Sequence, residues 1–524
     1  MANRIHPTTD ETLRRIATAV ERIAGANDLQ WDEDAGRYTS DSVQRWLASM
    51  RDGKAYGVSI PKGSATECTK LGANAGIAVP TPGTSDTPAI DPYAGVGPFV
   101  HFDANGYVDA DGTPHVTAIE GDGRFARDGS NGNVWVLAPV LWQNMDETDS
   151  TAVTLYVSDT QLAGMEAQPQ AYLPDGTLRP FMLYAKYAGA DDGNGMMASV
   201  SGRKPWTYVV SHNSLITQCA NASTGYSGKS VADDWYTKAM FLVKYATKHS
   251  QSIFAGCTSY NITAQVTVAE SGASRVIVST TDADKLVVGS AVMVGTADTD
   301  RNNATAHDIV DSARVIGIEA YDSSNSAVTL DVSATFTTAT THYLKTAPWW
   351  TGACDDVEGD GSPTSCASGE EPFKIQGIET AMGFYELVGD VILNYDGSNG
   401  AEICICHDSK KEATSVTSDY THTGKFLHAD ASSGWHYPAY PSNAGGMLFG
   451  AGNGASQTTG MCDGHYMNQI STVGTRAWLG LGNLNGGGNA GLWCVDASGA
   501  LTYARWGIGS RLSATGRALA ALRG

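Results

Sequence analysis

Near the C-terminal end of the chain, the thirteen residues Gly482-Asn483-Leu484-Asn485-Gly486-Gly487-Gly488-Asn489-Ala490-Gly491-Leu492-Trp493-Cys494 contain five glycines and no charged side chain. Glycine at this density supplies left-handed backbone and close approach, and Asn bonds its own main chain, so the stretch predicts loop rather than helix. The same texture continues to Trp506-Gly507-Ile508-Gly509-Ser510-Arg511-Leu512. Loops of this kind must be held by a scaffold, and recognition concentrates on loops so held.

The scaffold has to come from the remaining sequence. A chain of 524 residues exceeds what one core of ~250–300 residues organises, which predicts more than one structural unit. With 59 glycines, 17 % charged and 42 % hydrophobic residues, it reads as ordered, loop-rich and dominated by β-structure. A formal charge of −21 repels phosphate backbones and anionic lipid, so neither nucleic acid nor membrane insertion is expected. No apolar run approaches the ~18 residues of a membrane span, and Met1-Ala2-Asn3-Arg4-Ile5-His6-Pro7 does not open a secretory signal; synthesis and folding in a cytoplasm are expected. Nine irregularly spaced cysteines read as small buried thiols rather than a disulfide framework.

Thr8 with Glu11 makes a capping box, Gly25 a stop, and Leu13, Ile16, Val20 and Ile23 recur at heptad spacing, which predicts a short N-terminal helix. Two heptads do not make a stable coiled coil alone; the seam packs on sister subunits or a docking partner, or the helix lies on its own domain. From Ala55 to about Tyr187, short apolar runs cut by turns predict strands at Tyr56–Ile60, Phe99–Phe102, Asn133–Leu137 and Ala152–Val157, with a turn at 109–112. Two helices should follow, the second capped by Asp233 or Asp234 with Trp235, Ala239, Leu242 and Ala246 on one face. Five strand-like runs at short spacing between residues 262 and 344 predict a small all-β insert, a barrel or sandwich.

Few motifs carry chemistry. Gly225-Tyr226-Ser227-Gly228-Lys229-Ser230 ends like a phosphate loop, but Ser223 stands where the first glycine is required. Cys404-Ile405-Cys406-His407 has no second Cys/His pair at zinc spacing and reads as a buried strand. The acidic turns at 191–194 and 355–360 offer oxygens that calcium could use, yet neither matches an EF-hand loop; no cofactor and no metal site are expected. Nucleophile elbows and metalloprotease helices are absent from the sequence, so no catalytic residues are assigned. What remains is aromatic and polar: Trp435, His436, Tyr437, Tyr440, His465, Tyr466, Trp478, Trp493, Tyr503 and Trp506 amid Ser, Asn and Gly. That mixture suits a binding surface, because aromatics bring contact area at low entropic cost. Trp493 and Trp506, set among small residues, are expected to be core.

The order Asn483-x-Asn485…Asn489-Ala490-Gly491-Leu492-Trp493, then Trp506-x-Ile508-Gly509-x-Arg511-Leu512, resembles the C-terminal signature of C-type-lectin-fold proteins on bacteriophage tails, a group that includes variable proteins diversified by retroelements. Pro372–Glu379, Lys244-Tyr245-Ala246…Ser250-Gln251 and Asn133–Val136 extend the resemblance upstream. It implies an α+β C-type-lectin-like fold interrupted by the insert: an attachment or oligomerisation segment at 1–50, the first half of the fold at 51–261, the insert at 262–344, the second half with ligand-binding loops at 345–514, and a tail at 515–524.

The implied function is a non-enzymatic receptor-binding or tail-fibre protein of the virion, assembled in the host cytoplasm. It would join other tail proteins through its N-terminus, form a homotrimer, and grip a glycan or protein receptor on the host surface. Where relatives carry many Asn residues, this chain has Val495, Asp496, Ser498, Gly499, Thr502, Tyr503, Arg505 and Gly507. Each can arise from an Asn codon altered at its adenines, and Lys, Glu, Gln and Met are missing from Leu481 to Leu512, as retroelement diversification predicts. The expected ligand-binding set is Trp435, His436, Tyr437, Tyr440, His465, Tyr466, Trp478, Asn483, Asn485, Val495, Asp496, Ser498, Thr502, Tyr503 and Arg505. Two alternatives are a carbohydrate-binding module of a cell-surface adhesin and, since the lectin fold also occurs there, a formylglycine-generating-type enzyme. The latter needs a reactive cysteine pair, for which Cys404/Cys406 and Cys462/Cys494 are the candidates.

Overall fold

A computed structural model describes residues 28–519. With 36 % strand against 12 % helix, the molecule is mostly β with a few helices, within the coarse α+β class expected. The predicted heptad helix at residues 8–25 lies outside the described residues. Helix α1 (Ser40–Ala48) falls in the expected attachment segment but is docked on the body, burying Val43, Trp46 and Leu47 against Val100, Val116 and Trp135.

Nine strands follow: β1 (Tyr56–Pro61), β2 (Thr69–Gly72), β3 (Phe102–Val108), β4 (Pro114–Ile119), β5 (Asn133–Ala138), β6 (Trp142–Asp146), β7 (Ala152–Ser158), β8 (Glu166–Ala167) and β9 (Met182–Ala185). They make a five-stranded sheet, β8-β6-β7-β1-β2, and a four-stranded one, β9-β5-β3-β4. The turn expected at 109–112 closes the β3–β4 hairpin, with Gly112 at φ +92°. The strand expected at Phe99–Phe102 begins only at Phe102, because Pro98 favours the single 3₁₀ turn Gly97–Phe99.

Two helices come next, α2 (His212–Ala222) and α3 (Val231–Tyr245). The cap of α3 is Ser230 and not an Asp: its hydroxyl accepts from Asp233 N, and the Asp233 carboxylate accepts from Ser230 N at 2.7 Å, a reciprocal capping box. All fifteen residues of α3 are buried, so it is a central element covered on every side rather than an amphipathic surface helix.

Residues 263–347 close into a six-stranded barrel. Its strands are β10 (Thr263–Val268), β11 (Arg275–Ser279), β12 (Ala291–Gly295), β13 (Val310–Ala320), β14 (Asn325–Leu330) and β15 (Tyr343–Ala347), in the order β10-β11-β14-β13-β12-β15. Full closure leaves no free sheet edge. The barrel core is continuous with Tyr260, Phe384, Leu484 and Trp506 of the host.

The chain then builds its largest sheet from β16 (Tyr385–Asp396), β17 (Ala401–Ile405), β18 (Thr421–Leu427), β19 (Gly434–His436), β20 (His465–Met467), β21 (Val473–Leu481), β22 (Gly491–Asp496) and β23 (Ile508–Gly509). The path is β18-β17-β16-β21-β22-β20-β19, with β23 parallel to β16. α2 and α3 both lie against β16, and the hairpin Tyr440–Ala444/Met447–Ala451 covers α3.

A buried ionic chain ties these parts together. Arg511 Nε donates to Glu386 at 3.0 Å, Lys229 lies 2.8 Å from Glu386 and 3.1 Å from Asp234, and Lys238 lies 2.6 Å from Asp234. Burial pushes the Glu386 carboxyl up, but Arg511 and Lys229 outweigh it and hold it at about 2. The Gly-Lys-Ser sequence is thereby accounted for: Lys229 is a buried ion-pair partner and Ser230 a helix cap. Residues 515–518, expected in a trailing tail, are instead buried, because Arg517 pairs with Asp408 and its carbonyl accepts from Arg179. No helix among the described residues is long and apolar enough to cross a membrane.

Candidate binding face

Register across the edge of the large sheet brings residues distant in sequence onto one face. Trp435 in β19 pairs with Tyr466 in β20, and Tyr466 pairs with Asp496 in β22. Paired residues point the same way from a sheet, so these three stand in a row. The Trp435 and Tyr466 rings meet edge to face at 5.3 Å. Trp435 can lie flat only because Gly464 is beneath it: a Cβ there would come within 2.7 Å of the indole. Tyr437 stands beside it and donates to Asn489 Oδ1, which also accepts from Gln457 at 2.9 Å.

Past β22 the chain turns sharply. Asp496 Oδ1 accepts from Ser498 N at 2.9 Å and from Ser498 Oγ at 2.6 Å, and Tyr503 N closes a turn on Ala500 O. Burial raises the Asp496 pKa, while Ser498 and nearby Arg505 favour its charged form. The Arg505 guanidinium lies 5.2 Å over the Tyr503 ring, and Tyr503 is 40 % exposed. Thr502 beside it is also exposed. Asn483 Oδ1 accepts from Asn485 N at 3.0 Å, and a Cβ on Gly507 would come within 3.1 Å of Asn483 Nδ2. The result is a strip running Trp435–Tyr466–Asp496–Arg505–Tyr503, with Tyr437, Asn483, Asn485, Ser498 and Thr502 along it. The two best-formed cavities, each about 10 Å³ and too small for more than a water molecule, lie elsewhere, at Lys229/Arg511 and at Lys204/Pro348.

Five residues of the expected set are not on this strip. Trp478 in β21 and Val495, the neighbour of Asp496 in β22, are buried because they face the core between sheet and α3; Lys238 of α3 lies 5.7 Å over the Trp478 ring and 5.3 Å over that of Trp493. His465 is buried too, with Nε2 3.1 Å from Trp493 O; burial holds it neutral by lowering its pKa to about 3. His436 turns to the opposite face from Trp435. Tyr440 packs at the hairpin start with Lys62 Nζ 5.3 Å over its ring, toward the five-stranded sheet. Gln457, Gly464 and Asn489 belong to the strip and were not in the set; Asn489 stood inside the glycine-rich stretch, whereas nothing in the sequence marked Gln457 or Gly464.

The remaining motifs have structural partners. Asp191 Oδ1 accepts from Gly193 N and Gly195 N, and Asp192 Oδ1 from Asn194 N and Met196 N, so the first acidic turn binds its own backbone. In the second, Asp360 accepts from Tyr245 Oη at 3.0 Å and Gln376 N at 2.8 Å and pairs with Lys244. All nine cysteines are free. Burial raises the thiols of Cys404 and Cys406 to about 12 and Cys462 to about 11, and Cys494 further. No protein-family model matches the chain, and no curated protein matches it in sequence.

Proposed function

We propose that this chain is a receptor-binding protein of a bacteriophage or prophage tail, built on a C-type-lectin-like fold with the barrel as an insert, and that the strip grips a host-surface glycan or protein. The observation that carries the reading is the strip itself: half-exposed aromatics fixed by sheet register and interleaved with Asp, Arg and Asn. No bond-making step is assigned. Burial keeps the four thiols of the candidate pairs, Cys404, Cys406, Cys462 and Cys494, protonated at neutral pH, the reverse of what a reactive cysteine pair requires. The edge-to-face pair of Trp435 and Tyr466 also suits a sugar ring, which favours an adhesin's carbohydrate-binding module as the second reading.

The test is binding of the full chain to a panel of intact bacterial cells before and after periodate or protease treatment. Saturable binding to a restricted set, removed by one treatment, is expected; uniform weak adsorption to all cells would contradict it. Mass measurement in solution should give a trimer, as the heptad seam at Leu13–Ile23 would support, and deletion of residues 1–27 should give monomers without loss of the described fold.

A further inference from the structure

On the far side of β19 from Trp435 lies a cluster that the binding strip does not use. β18 and β19 are the opposite edges of the large sheet, yet they are consecutive in sequence, and the short segment between them brings three ligating side chains together. His428 Nε2 lies 3.1 Å from Asp430 Oδ1, and His436 Nδ1 lies 3.1 Å from Asp430 Oδ2. The two imidazoles meet edge to face at 5.7 Å, and one ligand atom from each of the three residues falls within 4.8 Å of the others. Nε2 of His436 has no hydrogen-bond partner among the described residues, so that ring is oriented by Asp430 and His428.

The hydrogen bonding around His428 is contradictory as it stands. Its Nε2 is 3.0 Å from Asn453 Nδ2 as well as 3.1 Å from the Asp430 carboxylate. A protonated Nε2 can donate to Asp430 but then opposes the Asn453 amide protons; an unprotonated one accepts from Asn453 but turns a lone pair on the carboxylate. Rotation of the Asn453 amide removes the conflict, its oxygen then accepting from Nε2; a divalent cation held by the clustered ligand atoms removes it too, since both imidazoles and the carboxylate would then offer lone pairs to it. Rotation of the Asn453 amide would present its oxygen as a fourth donor. Two imidazoles and a carboxylate are the donor set of zinc and its first-row neighbours, whereas calcium takes oxygen ligands.

We propose that His428, Asp430 and His436, joined by Asn453, form a binding site for zinc or a similar divalent transition-metal ion that ties together the two edges of the large sheet. The ion would fix β19, the strand that carries Trp435, and the turn held by Ile470 N on Asp430 O at 2.7 Å. A second three-residue group, Glu402, Cys404 and His422, is the rival location. There His422 Nδ1 is shared between Cys404 Sγ at 3.6 Å and Glu402 Oε2 at 2.9 Å, and burial holds the thiol protonated.

The experiment is titration of the tag-free full-length chain, stripped with chelator, by Co²⁺ and Zn²⁺. One equivalent should bind, with visible Co²⁺ ligand-field bands and no near-ultraviolet thiolate charge-transfer band. His428→Ala and His436→Ala should each weaken Zn²⁺ binding by about ten-fold or more, the double variant should abolish it, and Cys404→Ser should leave it unchanged. Melting without metal checks that the variants fold; should they not, the wild-type Co²⁺ spectrum still decides. Absence of saturable binding, a thiolate band, or unchanged affinity in the folded double variant would overturn the site.

Discussion

Single residues divide the C-terminal aromatics into those that reach solvent and those that pack. Tyr503 and Arg505 touch each other and solvent, so replacing both by Ala should cost under about 0.5 kcal/mol of stability yet weaken cell attachment; thermal melting and cell binding check the two halves. Trp478→Ala, by contrast, removes a fully buried ring and should cost about 3–5 kcal/mol in the same melts. A pH effect comes from Asp463, whose Oδ2 accepts from Ser250 Oγ at 2.7 Å and Trp493 N at 3.0 Å. Burial nevertheless raises its pKa to about 8. Because that value lies above the unfolded one of 3.8, the contribution is fully present below pH 4 and is lost as pH rises through 8. His465 acts in the opposite sense: its pKa near 3 lies below 6.5, so its contribution is present above pH 6.5 and lost as pH falls toward 3. Asp463→Asn should therefore gain melting temperature over wild type as pH is raised from 4 to 8.5, with the difference smallest at pH 4. A constant difference across that range would show that Asp463 is ionised in the fold.

Among elements, the barrel is more than an appendage. Arg301, on the connection between β12 and β13, donates to Thr346 O at 2.8 Å and Asn261 Oδ1 at 2.6 Å, and its guanidinium lies 5.0 Å over the Trp506 ring. Asn302 Oδ1 accepts from Trp506 N at 3.0 Å. The insert thus grips the segment that follows Tyr503 and Arg505. Arg301→Ala should loosen that segment, seen as faster hydrogen exchange at residues 500–507, with the barrel strands unchanged; equal exchange in both forms would mean the grip is idle. Five of the six barrel strands were readable in the sequence as short β-branched runs bounded by turn residues; β15, Tyr-Leu-Lys-Thr-Ala, carries no such run and closes the barrel past residue 344, where the insert was expected to end. The cap of α3 was not, since a helix buried on every side shows no polar face against which to locate its start. The same ambiguity hid Trp478 and Val495: β21 and β22 are covered on both faces over most of their length, so alternation carries no record of which face is solvent. The pairing of Trp435 with Tyr466 and of Tyr466 with Asp496 depends on register between strands far apart in sequence, which no local pattern encodes.

At the scale of the molecule, one arrangement recurs: irregular, glycine-rich chain is held in place by buried charge. Arg511, Glu386, Lys229, Asp234 and Lys238 run in a continuous line from the end of the C-terminal segment to α3, and Lys238 ends against the two tryptophans beneath the strip. The most direct measurement is the affinity of the full chain and of its Trp435→Ala/Tyr466→Ala/Tyr503→Ala variant for the cells that the wild type binds. A loss of about ten-fold or more, corresponding to ~1.4 kcal/mol, with a melting temperature close to wild type is the predicted result. Undiminished binding by the folded variant would contradict the assignment of this face.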